Sequence, residues 1–254
     1  MLNPYLKIGP VNVHFYGLII ALAIYIGYYL AKKRAKIYKI NPKIFDDSLL
    51  ILPLVLAIIG ARIYHVLDYY STYSKNPISV FFIQNGGLGI WGAILGAVIG
   101  FYFLAKLRKL NLLTILDLAS PSLLLGQAIG RIGNWINQEG FGPPTSLPWR
   151  VYINEQNRPF QFQNFSHFHP TFFYEAILNL AFFIALIKLS QRFKRPGQIF
   201  GLYLISYSLI RFSVEFLRID TWVVSQLKIA HLISVVVLFI GVYLFRRAGN
   251  KVQP

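Results

Sequence analysis

Seven stretches of the chain, 15–31, 48–67, 87–105, 112–130, 171–188, 198–217 and 229–245, are predominantly apolar, and polar segments separate them. A hydrocarbon core roughly 30 Å thick needs about 20 apolar residues in helical form, because a helix satisfies its own backbone where water cannot. The pattern therefore predicts an all-α integral membrane protein of about seven transmembrane helices, with residues 1–254 forming a single polytopic membrane domain. One connection is long. Residues 131–170 carry Gly142, Pro143, Pro144, Pro148 and Pro159, and read as an irregular head inserted between the fourth and fifth helices, with room for a small hairpin.

Composition agrees with that pattern. The 254 residues are 56% hydrophobic and only 13% charged, with a mean hydropathy of +0.52, outside the usual range for a soluble domain. The formal net charge of +16 would suit a nucleic-acid binder if it were spread over amphipathic elements. Here it gathers between apolar runs, so no nucleic acid is expected as a partner. The chain has no cysteine, so any thiol chemistry must use a substrate's sulfur. The first apolar run lacks the basic flank and small-residue cleavage site of a removed signal peptide, and its helix is expected to stay.

Sixteen of the 25 Lys and Arg residues lie in one alternate set of polar segments, at 32–43, 106–109, 188–195 and 246–251. The other set holds Lys7, Lys75, Arg150, Arg158, Arg218 and Lys228. Positive charge favours the cytoplasmic side, which places the N-terminus and the head outside and the C-terminus in the cytoplasm. With that topology the polar residues of the apolar runs fall in the outer half: Tyr16, Arg62, Asn85, Arg131, Asn134, Glu175, Arg211 and Glu215.

A charged side chain at the centre of a membrane helix costs roughly 2.5–3.5 kcal/mol, so these charges need compensation. Arg211, Glu215 and Arg218 follow i,i+4 and i,i+3 steps and would stack plus, minus, plus along one helical face. Arg62, Arg131 and Arg211 face Glu175 and Glu215, which leaves one positive charge before Arg218 and Glu139 join at the boundary. Arginine's planar fork suits phosphate, and an arginine-lined cavity opening outward suits a phospholipid head group. Asn134 and Asn137 add neutral groups for glycerol hydroxyls or a peptide backbone.

Other motifs read more plainly. Gly92, Gly96 and Gly100, and likewise Gly126 and Gly130, have the small-xxx-small spacing of close helix packing. The glycines of QNGGLGI lack the preceding strand and spacing of a dinucleotide loop. His167 and His169 precede Pro170 at a helix start without further ligands beside them, so neither a metal nor a cofactor is expected.

At this point a family resemblance enters. The run GRIGNWINQEGFG at 130–142 resembles the long signature G-R-x-G-N-[FW]-x-N-x-E-x-x-G of bacterial prolipoprotein diacylglyceryl transferases. HFYG, GARIYHVL, HPTFFYE and YSLIRFSVEFLR resemble further family segments in the same order, so the likeness covers about residues 9–247. It implies seven transmembrane helices, an outward N-terminus and a periplasmic head in the bacterial cytoplasmic (inner) membrane. The implied reaction moves the sn-1,2-diacylglyceryl group of phosphatidylglycerol to the lipobox cysteine of a prolipoprotein signal peptide, forming a thioether and releasing glycerol 1-phosphate. Matched to the family's motifs, Arg131 and Asn134 would contact the head group, and Asn137, Glu139 and Gly142 complete the signature. Arg211 would hold the leaving phosphate, Glu215 would orient it, and Tyr16 and Glu175 would line the cavity. Arg62 and His169 join this set as candidates by position. Catalytic roles thus fall on Arg131, Arg211 and Glu215.

The chain departs from the family at one place. A segment of the type G-G-M-S-F-H-G-G supplies a catalytic His in other members, and the aligned GGLGIWGA has Trp91. An indole accepts no proton at neutral pH. The thiol proton is left to an arginine field that acidifies the thiol, to His169, to Tyr16 or to the lipid phosphate. A phospholipid or anion transporter with the same arginine cavity is the alternative reading; the chain shows no internal repeat of the kind transporters often carry.

Overall fold

The structure is a computed structural model that describes residues 5–8, 11–83, 86–225 and 227–250. Asn85, placed above among the outer polar residues, lies outside them. Seven long helices follow in order: α1 Phe15–Arg34, α2 Leu52–Asp68, then a single turn α3 Tyr70–Tyr73, α4 Ile90–Leu107, α5 Leu112–Asn137, α6 Thr171–Arg192, α7 Gln198–Glu215 and α8 Ile229–Asn250. Among the described residues six of them are long and apolar enough to cross a membrane. The seventh long helix, α7, falls short of that apolarity because it carries Arg211 and Glu215. It nonetheless packs along α8 and against α6.

The chain gathers into two compact units, one of residues 1–38 and 117–254, the other of residues 39–116. In the second unit α2 and α4 run antiparallel with their backbones almost touching. A Cβ on Gly92 would run into the Gly60 carbonyl, one on Gly96 into the Leu56 carbonyl, and one on Gly100 against Pro53. The stripe at 92, 96 and 100 therefore acts as the close-packing surface its spacing predicts. Arg62, near the end of α2, is 6% exposed and turns into its own unit's connection. Its Nε donates to the Val80 carbonyl at 2.8 Å, Nη1 to Gly86 and Gly87 at 2.8 and 2.9 Å, and Nη2 to Ser79 at 2.7 Å.

In the first unit α1 is tied to α5 by Ser122 Oγ donating to the Gly27 carbonyl at 2.9 Å and by Arg34 Nη1 donating to the Leu118 carbonyl at 2.8 Å. Buried Asp117 of α5 caps the start of α7, accepting from the Gly197 and Phe200 amides at 2.7 Å each. That satisfies donors which a helix N-terminus leaves unpaired. The apolar centre is made by Leu124, Leu186, Ile199, Ile210 and Val214. Gly126 has open space around its Cβ position and Gly130 meets only Ile20 Cδ1 at 3.8 Å, so among the described residues the pair does not make the close packing expected of it. Close contact passes instead to Gly133, against which the Tyr16 ring lies.

Helix α5 runs seven residues beyond the 130 boundary expected from the apolar pattern, because the signature residues continue its turns. It stops at Gln138, whose φ of +54° is left-handed. The Gln138 side chain helps hold that turn, its Oε1 accepting from the Asn154 amide at 2.8 Å and from Asn157 Nδ2 at 3.1 Å. The head has its own core of Phe141, Ile153, Phe168 and Phe172. A two-residue antiparallel pair, Val151–Tyr152 with His167–Phe168, supplies the hairpin. Further antiparallel pairs join Tyr5–Ile8 to Val11–His14 before α1, and Val223–Val224 to Leu227–Lys228 between α7 and α8.

Candidate functional site

The ends of α5 and α7 and the start of α6, all in the first unit, bring ionised side chains together. Arg131 lies within the last two turns of α5 because the signature stays helical through Asn137. Its Nη2 pairs with Glu175 Oε1, and its Nη1 donates to Asn134 Oδ1 at 2.9 Å. Asn134 Nδ2 passes the contact on to Glu139 Oε1 at 2.9 Å, and Asn137 Nδ2 reaches the same oxygen at 3.4 Å. The signature is thus a hydrogen-bonded chain that fixes the direction of one guanidinium. Arginine's fork geometry makes that direction matter.

Glu175, 5% exposed, serves two arginines, since its Oε2 lies 3.8 Å from Arg218 Nη1. This differs from the stacked ladder expected on one helical face. Helix α7 ends at Glu215, so Arg218 leaves the helix and turns toward Glu175 and Asp220. It donates bidentately to Asp220, at 3.1 Å from Nε and 2.8 Å from Nη2. Burial works to lower the Arg218 pKa, but the carboxylates of Asp220 and Glu175 outweigh it and hold the pKa above its ordinary value. Lys228, from the hairpin after α7, completes this corner by donating to the backbone carbonyls of Glu215 at 2.6 Å and Arg218 at 3.0 Å. A cation there suits the negative end of the helix dipole.

Arg211 is bound less fully. Its Nη2 sits 2.7 Å from Oε2 of the wholly buried Glu215, an ion pair without hydrogen-bond alignment. Among the described residues no other partner is recorded for the Arg211 side chain, which keeps 21% of its surface open. Tyr207, one turn earlier in α7, stands within electrostatic reach of Arg211, Glu175, Arg131 and Arg218 alike. Tyr207 thus belongs with the cluster, a residue that the sequence motifs do not single out. The available signal was its i,i+4 relation to Arg211. Tyr16 also belongs here: its ring lies on Gly133, and it feels Glu139 and Arg131.

Three other candidates sit differently. Arg62 belongs to the second unit, where carbonyls of that unit's own connection take the hydrogen bonds described above. Gly142 is a point of close packing, where a Cβ would lie 2.6 Å from the Leu217 carbonyl and 2.9 Å from His169 Cβ. His169 Nδ1 is 3.2 Å from the Tyr174 hydroxyl, which itself accepts from Trp149 Nε1 at 2.7 Å. An indole N–H only donates, so the phenol's own hydrogen is free to go to His169. Trp91, in the second unit, occupies the first turn of α4 with 42% of its surface exposed.

Six long apolar helices among the described residues, with arginines and carboxylates assembled at adjoining helix ends, define a multi-pass membrane protein. The particular family follows from the chain itself. The family model for prolipoprotein diacylglyceryl transferase matches residues 4–247, and the chain belongs to that family of transferases. It is 42% identical over 241 residues to the phosphatidylglycerol–prolipoprotein diacylglyceryl transferase of Trichormus variabilis, covering 92% of this chain and 85% of that one. The same-named protein of Thermosynechococcus vestitus is 40% identical over 244 residues, with 95% and 91% covered. That of Gloeobacter violaceus is 40% identical over 255 residues, with 98% and 94% covered.

Proposed function

We propose that this transferase takes the sn-1,2-diacylglyceryl group from phosphatidylglycerol and places it on the lipobox cysteine of a prolipoprotein signal peptide. The site works in the outer leaflet of the bacterial cytoplasmic membrane, with the N-terminus and head outside. The skew of positive charge supports that orientation. The observation that carries the reading is Arg211, which keeps donors uncommitted while Glu215 is its one ion-pair partner among the described residues.

In the reaction the cysteine sulfur forms a bond to the glyceryl sn-3 carbon as the bond from that carbon to the phosphate oxygen breaks. The electron pair leaves with the phosphate as glycerol 1-phosphate, and the thiol proton ends on that phosphate monoester. No carbonyl is attacked, so no oxyanion hole is required. The demand is for charge stabilisation on the departing phosphate, and preorganised arginine donors supply it without reorganising solvent. Arg211 takes the departing oxygen and Glu215 sets its orientation. Arg131, aimed by Glu175 and Asn134, holds a non-bridging oxygen. Tyr207 and Tyr16 line the same cluster, while Asn137, Glu139, Gly142 and His169 shape the wall formed by the signature and the head. With Trp91 unable to take a proton and His169 engaged with Tyr174, the reading gives the proton to the lipid phosphate, which becomes more basic as the monoester forms.

The test is incubation of the purified protein with phosphatidylglycerol and a lipobox peptide. Thioether-linked diacylglyceryl peptide and glycerol 1-phosphate in equal amounts are expected. Movement of lipid without either product would point to transport and reject the reading.

A further inference from the structure

Asn179 lies in α6 one turn beyond Glu175 and on the same inward face, where Thr171, Glu175 and Asn179 are all buried. It is 1% exposed, and neither its Nδ2 nor its Oδ1 has a hydrogen-bond partner among the described residues. Four buried serines of these helices are satisfied locally: Ser190, Ser206, Ser208 and Ser234 each donate to a carbonyl of their own helix at 2.7–2.8 Å. An amide left bare in an apolar interior weakens the fold, and such groups call for an explanation.

Its level in the bundle supplies one. Arg131, Glu175 and Tyr207 mark the ionic cluster. One turn further in stand Gln127 on α5, four residues before Arg131, and Tyr203 on α7, four before Tyr207. These two engage each other, Gln127 Nε2 donating to the Tyr203 hydroxyl at 3.1 Å. Asn179, by its own four-residue step past Glu175 on α6, is one turn removed from the same cluster, and its amide has no partner among the described residues. In a glycerophospholipid whose phosphate sits at the arginines, the acyl-ester carbonyls hang below it by about one helical turn, ~5 Å. They are acceptors without a hydrogen, and they need a donor in a region that water does not reach.

We propose that Asn179 Nδ2 donates to an acyl-ester carbonyl of the donor lipid, so that the enzyme reads the ester linkage as well as the phosphate. The inference rests on the lipid-donor reading given above. It makes Asn179 a specificity residue that touches the donor away from the scissile bond.

Two donors separate it from a structural role: diacyl phosphatidylglycerol and its dialkyl ether analogue of equal chain length. Both carry the same sn-3 carbon–oxygen bond to phosphate and differ only in the carbonyls. Full-length wild-type protein should use the ester lipid with a kcat/KM roughly tenfold higher, the worth of one neutral hydrogen bond, mostly through KM. Asn179→Leu should bring that ratio close to one while raising the thermal midpoint, because leucine removes the bare amide and fills a similar volume. If Asn179→Leu does not accumulate as folded protein, Asn179→Ala serves for the same ratio. A variant that keeps the wild-type ratio overturns the inference, and so does a wild-type enzyme indifferent to the two lipids. No transfer from either lipid by the wild type would sink the lipid-donor reading along with it.

Discussion

Arg62 and Arg211 stand near the ends of apolar helices in different units of the same chain, and both looked alike as buried cations needing a partner. Arg62 donates to four backbone carbonyls of one connection at 2.7–2.9 Å. Arg211 has one carboxylate and open donors. The first is saturated by geometry that only its own loop supplies, and the second is held in place but left hungry. In a membrane, where an unpaired charge is expensive, incomplete satisfaction is the better mark of a binding group than charge or depth.

The comparison breaks most visibly under Arg-to-Lys exchange, which keeps charge and removes the fork. Arg211→Lys should cut turnover on phosphatidylglycerol and a lipobox peptide by on the order of 100-fold or more, the loss typical of one removed transition-state donor. Its thermal unfolding in detergent should stay close to wild type. Arg62→Lys should behave in the opposite way. An ammonium cannot reach four carbonyls set around a planar fork, and the stranded acceptors should destabilise the fold by about 2–4 kcal/mol. Turnover per folded molecule should be largely retained. Large loss of turnover with an unchanged melting curve in Arg62→Lys would undo the distinction between the two arginines.

Glu175→Gln sharpens the point on a smaller scale. The glutamate serves Arg131 and Arg218 together, so removing its charge loosens two guanidinium groups while leaving the cations proposed to hold the phosphate in place. Turnover should fall by roughly tenfold, expressed more in kcat than in KM, since misdirected donors lose differential stabilisation of the transition state. A KM effect alone, with kcat intact, would mean that Glu175 tunes binding and does not aim Arg131.

The helices were largely legible from the apolar pattern, because length and hydropathy are local properties. The start of α6 at Thr171 and of α8 at Ile229 coincide with the expected positions. The end of α5 was missed because Arg131 and Asn134 look like loop residues by polarity, yet they are helical residues whose side chains face a polar interior. Side-chain partners were legible where a motif fixed neighbours in sequence, as for Arg131, Asn134 and Glu139. They were not legible where a partner lay elsewhere in the chain. Nothing local distinguishes Arg62, whose carbonyls come from a connection 17 to 25 residues away, or reveals that Arg218 answers to Glu175 across 3.8 Å. Tyr207 was passed over because a tyrosine in a membrane helix is common, and only the fold shows four charges around it.

The smallest effect is expected at Trp91, and it bears on how the proton travels. An indole has no lone pair available at neutral pH, so this position cannot be a general base in this chain. If the thiol proton leaves with the phosphate, Trp91→Phe keeps an aromatic body at an exposed site and should leave turnover within about twofold of wild type. The pH profile should not shift, since no titrating group has been removed. Trp91→His puts the same idea under strain from the other direction. An imidazole there adds a group that titrates near pH 6.5, and a new acid limb in the rate profile would show that the site accepts a base at that position. An unchanged profile in both variants is the result expected if the lipid phosphate carries the proton away, because the acceptor then arrives and departs with the substrate.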